Sequence, residues 1–165
     1  MIKSLFYISL FFLLNCSGYE FVYKDFKSNP LINNVETRVV GDNKIYLTSY
    51  IRESISENKK DNEYILDIKS KKISENLIIQ SDQTATEIQI IHNINYKLYK
   101  KIGGCLIFDK KFRTKSTYKI KSSGYNFGTD TAKKQTTENN ISNNINDFFT
   151  FINNNYKNIK CVNDS

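Results

Sequence analysis

The feature that most constrains this chain is a stretch of alternation near its middle. In "IQIIHNINYKL", Ile88, Ile90, Ile94, Tyr96 and Leu98 share one parity, while Gln89, Asn93, Asn95 and Lys97 take the other. Successive side chains of an extended backbone point to opposite sides, so the segment predicts a strand with one buried and one wet face. Ile102-Gly103-Gly104 then reads as a tight turn. A second alternating run follows from about Cys105 to Tyr118. Leu106, Phe108, Phe112 and Tyr118 point inward there, and Asp109, Lys111, Arg113 and Lys115 point outward. The two runs predict a long antiparallel hairpin whose apolar side must be covered by another layer.

The remaining segments supply that layer. Val35, Thr37 and Val39 alternate up to Gly41-Asp42, a short first strand. Asp42 or Asn43 can cap a helix from about Lys44 to Asn58, whose Leu47, Tyr50, Ile51 and Ile55 recur at spacings of three and four. "EYILDIKSKKI" places Tyr64, Leu66 and Ile68 on one side of a second strand. That strand continues irregularly through Leu77 to Ile79, before a loop around Ser81-Asp82-Gln83. A polar loop with Gly124 and Gly128 leads into a second helix from about Asp130 to Asn154, capped by Thr129 or Asp130. Its apolar stripe is Ile141, Ile145, Phe148, Phe149, Ile152 and Tyr156. Its many asparagines are weak helix formers, so packing on the sheet has to hold it. The expected fold is α+β: a two-layer sandwich with two helices on one face of a roughly four-stranded mixed sheet.

The N-terminus reads differently. Met1-Ile2-Lys3 precedes an apolar stretch from Leu5 to Leu14. A positive end, a short greasy core and a small-residue site have the layout of a secretory signal, and the stretch is shorter than the ~20 residues a spanning helix needs. Leu13-Leu14-Asn15-Cys16 resembles a bacterial lipobox, with Asn15 in the place usually held by Gly, Ala or Ser. That resemblance implies a signal peptide over 1–15 and a diacylglyceryl group (with palmitate-type chains) on Cys16. Acyl chains contribute about 0.8 kcal/mol per buried CH₂, so two or three hold a protein at a membrane. Residues 16–30 then form a lipidated tether, 31–156 one domain and 157–165 a flexible tail.

Composition narrows the function. The chain has 165 residues, one proline and scattered glycines, so neither a linker nor a second domain is visible. Its formal charge is +7, carried by lysines spread through every segment rather than one arginine-rich block. That spread speaks against nucleic acid and for a modest affinity toward acidic headgroups. His92, the single histidine, sits on the apolar parity of the third strand and reads as a core residue. No nucleophile elbow, phosphate-cradling glycine loop, HExxH or paired CxxC occurs, and the carboxylates Asp67, Asp109 and Glu138 stand singly among lysines. We therefore expect no enzyme, no cofactor and no metal. With Cys16 lipidated, Cys105 and Cys161 remain. A strand that rises and a helix that returns bring them toward each other, leaving a disulfide or two free thiols as alternatives.

Three segments, Cys16–Phe21, Gln83–Tyr99 and Ser116–Gln135, together resemble the LPS-assembly lipoprotein (LptE) family. Cys16-Ser17-Gly18-Tyr19-Glu20-Phe21 is similar to that family's Cys-Gly-aromatic opening. "QTATEIQIIHNINYKLY" is similar to its third strand, and "STYKIKSSGYNFGTDTAKKQ" to the segment before its last helix. The resemblance covers nearly all of the expected mature chain, as pattern rather than strict motif. It implies an outer-membrane lipoprotein on the periplasmic side of a Gram-negative envelope. Such a protein is plug and assembly partner of the large β-barrel LptD and contacts lipopolysaccharide. Read onto this chain, Lys97, Lys111, Arg113 and Lys115 are candidates to face the barrel. Lys119, Lys121, Lys133 and Lys134 are candidates for lipopolysaccharide phosphates. The competing expectation is another α+β envelope lipoprotein, such as a lipid-transport accessory subunit or a periplasmic binding module.

Overall fold

The computed structural model describes residues 31–55, 62–79, 85–120, 126–155 and 161. The predicted signal, the Cys16 anchor, the tether, Lys121, Tyr156, the loop around Asp82 and all of the 157–165 tail except Cys161 lie outside those residues. Six elements follow in order: β1 (Val35–Gly41), α1 (Lys44–Ile55), β2 (Tyr64–Ile79), β3 (Ala85–Lys100), β4 (Leu106–Lys119) and α2 (Asn126–Asn155). The strands form one sheet in chain order. β1 runs parallel to β2, and β2–β3 and β3–β4 are antiparallel. This is the expected mixed sheet under two helices.

Register explains the layering. Leu66 opposes Leu98, which opposes Phe108; Ile68 opposes Tyr96; Ser70 opposes Ile94, which opposes Phe112. With β1 contributing Val35 and Val39, all the large apolar groups of one parity fall on a single face. Both helices cover that face. Leu47, Ile51 and Ile55 of α1 and Ile141, Ile145, Phe148, Phe149 and Ile152 of α2 are buried in one cluster with the sheet. At its centre the Phe148 ring stacks on Tyr96, centroids 4.2 Å apart and 6° from parallel. Phe112 meets Tyr96 edge-on, and Phe151 meets Phe108 and Phe112 the same way. Such aromatic pairs add to area burial because a positive ring edge faces a negative ring face.

Local backbone chemistry sets the corners. Gly41 ends β1 at a φ of 99°, and a Cβ there would run into the carbonyl oxygen of Ser70 on β2. Only glycine fits. Gly103 and Gly104, at φ of 86° and 63°, turn β3 into β4 as the glycine pair predicts. β2 is one strand of 16 residues whose register slips between Asn76 and Ile79, the irregularity expected from its sequence. Another slip at Leu98/Tyr99 leaves Leu106 half-buried.

Two expectations change. α2 begins at Asn126 rather than near Asp130, so Thr129 and Asp130 lie inside the helix and not at its cap. At α1, Asn43 does stand at the cap position, its C=O accepting from Leu47 N–H. The side chains near that end are used elsewhere, however. Asp42 Oδ2 accepts the Lys72 N–H at 2.7 Å, and Asn43 turns toward His92.

Two outcomes follow from this packing. Phe148→Ala should cost about 3–5 kcal/mol in denaturant unfolding, because it empties the centre of the aromatic cluster. Gly41→Ala, a change that stabilises by about 0.4–1 kcal/mol at an unstrained site, should here destabilise by more than that, because φ is positive and the Cβ clashes with backbone.

Candidate interaction surface

The helix layer is joined to the sheet by a buried polar network as well as by apolar packing. Asn140 of α2 is fully buried. Its Nδ2 donates to the Ile90 carbonyl at 3.2 Å and to Ser116 Oγ at 3.0 Å. Its Oδ1 accepts from Thr114 Oγ1 at 2.6 Å and lies 3.0 Å from His92 Nδ1. One turn on, Asn144 Nδ2 donates to Thr114 Oγ1 at 3.1 Å, and Asn144 Oδ1 accepts from the Tyr96 hydroxyl at 3.0 Å. On the other side, Asn43 Nδ2 lies 2.8 Å from His92 Nε2. The amide nitrogen of Asn43 can only donate, so Nε2 accepts and the imidazole proton sits on Nδ1, donating to Asn140. His92 is thus a wholly buried, neutral residue bridging α1, β3 and α2. Burial, opposed by the hydrogen bond to Asn140, pulls its pKa below the ordinary 6.5; nearby Lys72 lowers it further and Asp42 acts the other way. Burial, and then the Asp147 carboxylate, push the Tyr96 phenol upward.

Among the described residues, no helix packs on the opposite face of the sheet. Its rows follow from the register. Arg38, Asp67, Lys97 and Asp109 lie in one line across all four strands. The next line is Val40, Lys69, Asn95 and Lys111; then come Lys71, Asn93 and Arg113, and then Ile73, Ile91 and Lys115. Ile91 has the wet parity and is nevertheless fully buried, an apolar island among these cations. Beside the first two lines lies a shallow groove of about 360 Å³, bordered by Arg38, Val40, Asp67, Lys69, Asn95 and Lys97.

The four candidates for a barrel-facing role, Lys97, Lys111, Arg113 and Lys115, all share this face, but they are not equivalent. Lys97 Nζ is 2.8 Å from Asp109 Oδ2, and that contact raises the lysine pKa and lowers the carboxyl pKa. Both groups are well exposed, so the pair contributes little to stability. Lys111, Arg113 and Lys115 enter no ion pair among the described residues. Of the phosphate candidates, Lys119 ends β4 on the outer parity, while Lys133 and Lys134 are exposed on α2. Lys133 comes close enough to Lys72 to help burial depress the Lys72 pKa, a neighbour the sequence did not suggest. A run of exposed apolar residues, Leu77, Ile78 and Ile79, marks the same end of β2, past the last β1 pairing at Gly41–Ser70. At the other end Cys105 and Cys161 are joined by a disulfide, Cα atoms 5.8 Å apart, which ties the chain beyond α2 to the start of β4.

Among the described residues no group of three His, Cys, Asp or Glu side chains could hold a metal ion, and no helix is long and apolar enough to cross a membrane. What this geometry offers is a rigid, one-sided scaffold with a broad charged face. No protein family matches the chain, and no curated protein does. Solved structures of bacterial lipoproteins do. The rare lipoprotein B of Shewanella oneidensis matches with a TM-score of 0.61 at 10% identity, over 76% of this chain and 98% of that one. A lipoprotein of Caulobacter crescentus CB15 matches at 0.58 and 11%, over 76% and 92%. A minor lipoprotein of Acinetobacter baumannii matches at 0.57 and 12%, over 77% and 96%. At such identities the likeness is one of fold: the architecture described above is shared almost end to end with these chains.

The network makes a pH prediction. The folded His92 pKa lies below that of the unfolded chain, so the unfolded state takes up the proton first as pH falls. Stability is full above about 6.5 and declines below it, in a window separate from that of Asp109, which titrates below 3.8. Urea midpoints measured from pH 7.5 to 5 should fall for the wild type and stay level for His92→Gln. Asn140→Ala should lose at least about 2 kcal/mol at pH 7.5, because Ser116 and His92 are left without a buried partner.

Proposed function

We propose that this protein is a lipid-anchored component of the Gram-negative outer membrane, held on its periplasmic side through Cys16. There it acts as plug and assembly partner of the large lipopolysaccharide-translocating β-barrel LptD. The observation that carries the reading is the fold, shared almost end to end with a set of bacterial lipoproteins. The lipobox-like Leu13-Leu14-Asn15-Cys16 and the family-like segments around Gln83–Tyr99 and Ser116–Gln135 support it.

The physical logic is that of a wedge. Large barrel lumens are wet and polar. A domain seated in one therefore needs an outer surface that hydrogen-bonds rather than greases, on a body too rigid to collapse. The helix-free sheet face meets that need with lysines, two arginines and asparagines on a hydrogen-bonded frame. Such a protein works by binding, with no reaction to catalyse and no cofactor to hold. Lys119, Lys121, Lys133 and Lys134 are the positions at which it would meet lipopolysaccharide phosphates, through charge-assisted hydrogen bonds. Charge reversal at Lys133 and Lys134 that left lipopolysaccharide binding unchanged would remove those two.

The experiment is affinity purification of the native, lipidated protein from outer-membrane extracts in mild detergent. One large β-barrel should copurify in stoichiometric amount. The mature N-terminal peptide should begin at Cys16 with added diacylglyceryl mass. Anchored protein recovered without any large barrel would favour a different envelope lipoprotein, a lipid-transport accessory subunit or periplasmic binding module. An unprocessed leader in a water-soluble pool would defeat the anchor itself.

A further inference from the structure

Charge on the free face of the sheet is not evenly mixed. Three successive lines contain Lys69 and Lys111, then Lys71 and Arg113, then Lys115, and no carboxylate among them. All five cations are exposed, and no ion pair among the described residues engages any of them. On one side the band is closed by the Arg38–Asp67–Lys97–Asp109 line, where Lys97 is already spent on Asp109. On the other it is closed by Glu75, opposite Gln89 and Thr117. Cations on β2 and β4 stand about 10 Å apart across β3, and the lines follow one another every ~6.6 Å. Five like charges so placed repel one another, and a partner bearing the opposite sign relieves the repulsion.

We propose that this band, Lys69, Lys71, Lys111, Arg113 and Lys115, is the face that docks on the barrel, and that the wall it meets is lined with carboxylates. The inference rests on the barrel-partner reading and adds which surface engages and what chemistry opposes it. A protein surface fits better than a lipid or other polyanion for two reasons. The band is only about 13 Å tall along the strands, so an extended anionic surface would overrun it onto Asp67, Asp109 and Glu75. Between the cations lie the half-buried Asn93 and Asn95, whose amides offer both donors and acceptors, whereas phosphates only accept. Val40, 55% exposed at the margin, adds an apolar contact that a protein wall can use. Lys97 is therefore not part of the docking set, while Lys69 and Lys71 are.

The test uses the full-length lipidated protein and the barrel captured from the same outer-membrane extract. Wild type, Lys71→Glu/Arg113→Glu and Lys71→Gln/Arg113→Gln are compared for retained barrel. The expected result is retention reduced about tenfold or more by charge reversal and less by neutralisation, with the gap narrowing as salt rises past the point where the Debye length falls to ~8 Å. A zero-length carbodiimide crosslinker should join Lys69, Lys71, Lys111 or Lys115 to Asp or Glu of the barrel. Should the charge-reversed form misfold by circular dichroism, the neutral pair and the crosslinks carry the test. Equal retention by all three forms, or crosslinks from lysines elsewhere such as Lys44 or Lys134 only, overturns the proposal and leaves the barrel reading standing. Loss of band-dependent binding to phosphatidylglycerol vesicles with unchanged barrel retention makes a lipid surface the occupant and also overturns it. No barrel with wild type takes down both.

Discussion

The side chain of Asn140 is the joint on which the rest of the structure depends. Its amide is surrounded by His92, Thr114, Ser116 and the Ile90 carbonyl, and all are satisfied at once. A buried polar group left unpaired costs far more than a pair contributes, so this arrangement tolerates one rotation and one axial position of α2 and few others. An apolar stripe alone would let the helix slide by a fraction of a turn. With the joint set, Asn144 reaches Thr114 and Tyr96, Phe148 lands on the Tyr96 ring, Phe151 meets Phe108, and the chain beyond arrives at Cys105. These contacts descend α2 in order, each placed by the one above it.

The same joint accounts for the asymmetry of the molecule. Because α1 and α2 lie on one side, tied together through Asn43, His92 and Asn140, the other side of three long strands has no helix on it among the described residues. Alternation then dictates what stands there: apart from the buried Ile91, the outward parity positions of β2, β3 and β4 become surface chemistry. Where cations meet carboxylates, as at Lys97 and Asp109 or Lys101 and Glu36, the pairs are exposed and weak. Where they do not, the sheet holds a charge pattern rigidly in place, which suits recognition more than stability. The proposed docking through a charged face and the proposed lipid anchor are compatible tasks, since neither asks the core to move.

Much of this was legible beforehand, and the failures have a common cause. The hairpin, its turn at Gly103-Gly104, the irregular end of β2, the helical stripe from Ile141 to Ile152 and the buried setting of His92 all follow from local periodicity. The start of α2 at Asn126 did not, because glycine and threonine near Gly128 weaken the helix signal. Nor did the roles of Asn140, Asn144, Thr114 and Ser116. Polar residues read as wet, and their partners lie 24 to 50 residues away in the chain. One signal was available: Asn140, Asn144 and Phe148 fall at successive spacings of four, in line with the apolar stripe rather than opposite it. Parity places Lys97 with Lys111, Arg113 and Lys115, and it does not tell which cation has a carboxylate on the next strand, as Lys97 has in Asp109.

What the amino-acid order determined by itself is the set of faces: which strands have one wet side, which helices have one greasy stripe, and hence a two-layer α+β body under a lipobox-like N-terminus. Those are properties of period, readable because alternation and helical spacing act over a few residues. Only the tertiary structure decided which polar groups the interior would keep, which of the outward lysines are neutralised, and that five cations with no ion pair among the described residues stand together in one band. Those outcomes depend on register between strands and on the rotation of a helix against them, quantities set by the simultaneous satisfaction of groups far apart in the chain.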